Sequence, residues 1–158
     1  MELLVAGRLE TVKFWKALLI EEELVDRSIY YFEPWHSQPN IAIPVGKYRR
    51  TGYCQVHNEE FREEVMRKMR MMPLSFPDLR LSERTGKYGG KRSEVEWGDD
   101  ISDLWTRHKA ANAMDGDVHR LLGRAFGYKE ERILALYPEG WPNDKEDSHD
   151  AYVEKYLR

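Results

Sequence analysis

The chain is short of the features that announce a chemistry. It holds one cysteine, Cys54, so no disulfide can close within it, and a reducing compartment suits it. No apolar run approaches the roughly 20 residues a membrane helix needs. The opening, MELLVAGRLETVKFW, lacks the basic start and long apolar core of a signal peptide. These absences make a cytoplasmic protein, or one delivered without a conventional signal, with no membrane partner the expectation. The metal-binding spacings HExxH, paired CxxC and the EF-hand loop are missing, and so is the phosphate-loop pattern GxxxxGK[ST]. A large excess of charge of one sign is lacking too. A net charge of −3 argues against a general binder of nucleic acid or acidic membranes, while leaving room for local basic patches. No repeat, low-complexity segment or composition break divides the chain.

What is present is a length of 158 residues with 41% hydrophobic and 34% charged side chains, the profile of one globular domain. Such a domain buries about two-thirds of its unfolded surface. The patterns predict an α+β fold of five to six helices and a small antiparallel sheet, with a helix-rich C-terminal half. A helix and the sheet occupy 1–57, a helix and a basic Gly-rich loop 58–98, and helices 99–158.

The clearest stretch is Asp115 to Pro138. Val118, Leu121, Leu122, Ala125 and Phe126 follow the spacing of one helix face. Asp115 or Asp117 caps its start, and Gly127 stands where a left-handed residue ends a helix without a Cβ clash. A second helix runs from about Lys129, with Ile133, Leu134 and Leu136 apolar and Pro138 preventing continuation. Elsewhere Leu9 to Val25 reads as one helix with Glu21, Glu22 and Glu23 solvated near its end. Ser28–Phe32, Ile41–Ile43 with Val45, and Gly52–Val56 read as three strands that form one sheet, Pro44 placing the second at an edge. Asn58 caps a helix whose apolar stripe is Phe61, Val65, Met69 and Met72. Residues 83–92 form a mobile loop or an extended hairpin, and Ser93–Trp97 a short strand. Asp99 or Asp100 caps a helix carrying Ile101, Leu104, Trp105, His108 and Ala111. Ser148 caps a last one carrying Tyr152, Val153, Tyr156 and Leu157.

The small Gly123, Gly127 four residues on, and Ile133 six after that make residues 117–137 resemble the helix-turn-helix of DNA-binding regulators. The resemblance implies a second helix in the major groove. Its outward residues are Lys129, Glu130, Glu131, Leu134 and Ala135, and the two carboxylates would repel phosphates.

Four constellations carry chemistry. Arg84, Lys87, Lys91 and Arg92, with Arg49 and Arg50, are candidate nucleic-acid or anion contacts: glycines admit an anion and the cations neutralise it. Tyr48 or Tyr88 can stack on a base. Asp115, Asp117 and His119, with His108, are candidate metal ligands for an activated water, although two aspartates ahead of a helix also describe ordinary caps. Cys54, His57 and Glu59 or Glu60 hold a thiol and a base without a spacing that brings them together. Finally, Trp35, His36, Trp97 and Trp141 are candidate partner contacts, because Trp35 and Trp141 sit beside prolines in loops, where rigid aromatics make good anchors.

Five Trp, nine Tyr and five Phe and no enforced catalytic spacing lead to one expectation above the others. The chain is a non-enzymatic protein–protein interaction module without a cofactor, an adaptor or inhibitor of a larger assembly, in the style of a phage or mobile-element accessory protein. A nucleic-acid-binding regulator using 117–137 or 84–92 is the alternative. A metal-dependent hydrolase comes after it.

Overall fold

The computed structural model describes residues 2–33, 39–85, 89–112 and 114–141, with the side chains of the first helix described from Gly7 onward. Within them the fold is α+β, with six helices and two small antiparallel sheets. In chain order the elements are α1 (Glu2–Leu18), α2 (Glu23–Asp26), β1 (Ile29–Tyr31), β2 (Asn40–Ala42), β3 (Thr51–Gln55) and α3 (Glu59–Arg70). Then follow β4 (Arg80–Thr85), β5 (Lys91–Gly98), α4 (Ser102–Ala110), α5 (Gly116–Ala125) and α6 (Glu130–Leu136). The expected last helix, from Ser148, lies outside the described residues.

The corner between α5 and α6 forms as its residues dictate. The carboxylate of Asp115 accepts the Val118 N–H at 3.1 Å, and Gly127 takes φ +71°. Gly123 lets the helices touch, since a Cβ there would stand 2.9 Å from Cγ1 of the buried Ile133. Val118, Leu122 and Phe126 pack on Ile101, Leu104 and Trp105 of the α4 segment.

The helix expected over Leu9–Val25 does not run through. Helix α1 ends at Leu18 because the corner captures the next residues. The Lys129 N–H donates to the Leu18 carbonyl at 2.8 Å, and the Ile20 N–H to that of Gly127 at 3.0 Å. Leu19 bridges to Tyr128 and is fully buried. Glu21 is no solvated residue either. Its carboxylate accepts the N–H groups of Lys47, Tyr48 and Arg49 at 2.7, 2.7 and 3.1 Å. Burial alone would raise its pKa, but those three bonds outweigh it and hold the carboxyl below its usual value.

The single three-stranded sheet of consecutive strands also needs correction. β1 pairs only with β2, with Ile29 opposite Ala42 and Tyr31 opposite Asn40. β3 instead joins β5, with Thr51 opposite Gly98 and Gln55 opposite Glu94, and β4 completes the order β3-β5-β4. Past Ile43 the chain turns away from strand pairing. Pro44 has no N–H, Val45 donates to Ser75, and Gly46 donates to Arg49. Residues 83–85 and 91–92, expected in a loop or an extended hairpin, lie in the paired strands β4 and β5, with Thr85 opposite Lys91.

Trp97 sits at the centre of the main core, fully buried among Cys54, Val65, Met69, Phe76 and Val95. Gly52 is its register partner, and a Cβ on Gly52 would meet the indole at 2.4 Å. Its Nε1–H donates to the Ile43 carbonyl at 3.0 Å. The reading of Trp97 as a partner contact is therefore overturned: every face of the ring is used by the fold.

Candidate binding cleft

A cleft of about 960 Å³ opens between α1, the short β1-β2 sheet, β3 and the α5–α6 corner. Helix periodicity brings Gly7, Glu10, Thr11 and Phe14 to one side of α1, and these form one wall beside Trp15. Tyr31, Asn40, Ile41 and Ile43 come from the small sheet, and Tyr53, Cys54 and Gln55 from β3. The corner supplies Phe126 and Tyr128. Phe14 and Tyr53 keep 41% and 40% of their surface in solvent, so the aromatic walls are offered rather than consumed. Tyr53 stands edge-on to Trp105 at 5.7 Å and to Phe126 at 5.8 Å, which fixes its ring without covering it.

Arg49 is the charged residue at the base of the cleft. Only 5% of it is exposed. Its Nη1 donates to the Phe126 carbonyl at 2.9 Å, and its guanidinium lies 5.3 Å from the centre of the Phe126 ring. Burial pushes its pKa down to about 10, so it is still a cation at neutral pH. The Glu21 carboxylate sets the turn that aims it, by gathering the backbone N–H groups of 47–49.

The other anion candidates scatter. Arg50 is exposed and pairs with Asp99 at 3.2 Å. Arg84 is wedged between Glu94 at 2.8 Å and Glu96 at 2.6 Å, with its guanidinium over Trp105 at 4.9 Å, so its charge is already answered. Lys87 and Tyr88 lie outside the described residues. Lys91 and Arg92 are exposed on β5, Lys91 standing 3.8 Å from Glu83. With Arg62 and His57 they line a second, small pocket of about 210 Å³.

Among the partner candidates, Trp35 and His36 lie outside the described residues. Trp141 is half-buried, edge-on to His119 and Tyr137 at 5.0 Å each.

The proposed metal ligands are occupied by other work. Asp115 caps α5 and takes Nε of Arg107 at 2.7 Å, while Asp117 takes Arg120 at 2.6 Å. His119 stacks on Tyr137 at 4.4 Å and meets His108 edge-on at 5.0 Å. Among the described residues no three His, Cys, Asp or Glu side chains gather as a metal site. Cys54 and His57 do not form a nucleophile and base. Burial pushes the Cys54 thiol up to about 12, and Nδ1 of His57 sits 3.1 Å from the buried carboxylate of Glu33.

Sequence reasoning named Arg49 but missed Phe14, Tyr53 and Tyr128 as its neighbours. The one local signal is Gly7, Thr11 and Phe14 at helical spacing, a small-residue face beside an aromatic. Convergence with residues more than a hundred positions away has no local trace.

Among the described residues, the fold and its cleft define an α+β protein with an aromatic recess. Residues 10–149 match the family described as a family of unknown function (DUF6302), and the chain belongs to that family. No curated protein and no solved structure matches it. No helix among the described residues is long and apolar enough to cross a membrane.

Proposed function

We propose that the chain is a non-enzymatic protein-interaction module, an adaptor or inhibitor, and that its partner seats a side chain in the aromatic cleft. The observation that carries this reading is the pair of half-exposed rings, Phe14 and Tyr53, flanking a recess with a cation at its base. Interfaces concentrate their energy in a few aromatic and arginine residues around such recesses. Trp141, half-buried on the α5 side, remains the contact expected from the loops. The test is site-specific photo-crosslinking in the native host. A benzophenone side chain replacing Phe14 is expected to capture one protein. The same group at Glu63, on the exposed outer side of α3, is expected not to. Equal capture at both positions, or none at Phe14, contradicts the reading.

A second reading has its own observation. Nε of Arg62 is buried beside Lys91 and Arg92 with no acceptor among the described residues, which favours an anion, including a nucleic-acid phosphate, at the start of β5. Binding of a DNA duplex that falls steeply with salt and disappears in the Lys91→Gln, Arg92→Gln double variant would support it. The helical corner contributes less to that reading, because Glu130 is tied to Arg124 at 2.6 Å and Lys129 to Glu22 at 3.4 Å.

A further inference from the structure

Two residues that line the cleft each hold a buried hydrogen-bond donor with no acceptor among the described residues. Nε of Arg49 and Nδ2 of Asn40 are both buried and unpartnered, and both residues line the same recess. Such atoms are uncommon in folded proteins, where buried donors are nearly always satisfied. Arg49 is the more informative of the two. Other arginines meet a carboxylate directly, Arg50 with Asp99, Arg107 with Asp115 and Arg124 with Glu130. For the Arg49 guanidinium, almost fully buried, no carboxylate partner exists among the described residues. A buried charge is stable only when something compensates it. The cleft's own acid, Glu10, is exposed and turned to Lys13 at 3.6 Å.

The geometry points to an oxyanion held by Arg49 and Asn40 at the base of the cleft, carried on a body that packs among Phe14, Tyr53 and Phe126. One guanidinium and one carboxamide match the single charge of a carboxylate better than a phosphate dianion, which calls for more than one cation. The occupant is therefore a partner segment with an Asp or Glu beside an aromatic residue. This inference rests on the cleft being the binding face.

The experiment is an NMR titration of the whole chain, following the Arg49 Nε–H resonance and the cleft amides. The probes are 3-phenylpropionate, its neutral isostere 3-phenylpropionamide, and the peptides acetyl-Gly-Asp-Phe-Gly-amide and acetyl-Gly-Asn-Phe-Gly-amide. The acid is expected to move the Arg49 Nε–H signal and to bind about tenfold tighter than the amide, the worth of a hydrogen bond to a charged group. Arg49→Met should keep the amide's affinity and lose the preference for the acid. If Arg49→Met does not fold, Asn40→Leu carries the test and should shrink the preference. Acid and amide binding equally, or a preference that survives in both variants, overturns the anion site while leaving the cleft. No shift at any cleft resonance with any probe overturns the cleft itself. The Asp peptide should outbind the Asn peptide; if only the free acid shows the preference, the partner-segment source is wrong.

Discussion

Gly127 lies directly on the backbone of Arg49: a Cβ added to the glycine would stand 2.8 Å from the arginine's Cβ and 2.9 Å from its Cα and N. The helical corner and the base of the cleft are thus one contact, and the Arg50 N–H, donated to the Ala125 carbonyl at 2.9 Å, reinforces it.

Gly127→Ala should therefore fail twice, through its φ of +71° and through the clash. A loss of at least about 2 kcal/mol is expected in urea denaturation. Gly90→Ala, where an added Cβ meets open space, should change stability by no more than roughly 0.5 kcal/mol.

Trp97 is a structural residue, and its removal should show it. Trp97→Ala is expected to cost about 3–5 kcal/mol through the cavity left between α3 and the sheet. Trp141→Ala, on a half-buried ring, should cost roughly 1 kcal/mol. Comparable losses at the two positions would contradict the placement of Trp97.

Glu21 should make the protein acid-sensitive. Its folded pKa lies below the ordinary 4.5, so its contribution is fully present above that value and is lost as pH falls through the folded pKa. Glu21→Gln should lower the urea midpoint at pH 7 and leave a smaller further decline between pH 5 and 3 than the parent shows. An identical pH slope in parent and variant would contradict the three-bond cap.

Cys54 should be inert in the native state. With the thiol buried and pushed up to about 12, iodoacetamide at pH 8 should leave the folded protein unlabelled over a time that labels it fully in urea, as read by mass spectrometry. Rapid native labelling would contradict the packing of Cys54 against Tyr31 and the main core.

Much of this fold was legible in local pattern. Asn58 and Asp115 cap their helices through their own side chains, and Gly127 ends α5 as its position demanded. These are short-range effects that a run of ten residues can specify. The strand partner of β3 was not legible, because the choice between β2 and β5 depends on Gly52 making room for Trp97 across 45 residues. Nor was the end of α1, since Leu18 and Ile20 are captured by backbone groups at 127–129. The candidate site suffered most from this. Arg49 looked like one of several cations in a basic series, and only the fold shows that Arg50 and Arg84 have carboxylates while Arg49 has aromatic rings.

The most direct measurement is hydrogen exchange on the chain with and without the protein captured at position 14. Slowed exchange confined to Glu10–Trp15, Tyr53–Gln55 and Phe126–Tyr128 is the expected result. Protection that instead falls on Lys91, Arg92 and the exposed side of α6, with the cleft unchanged, would contradict the account.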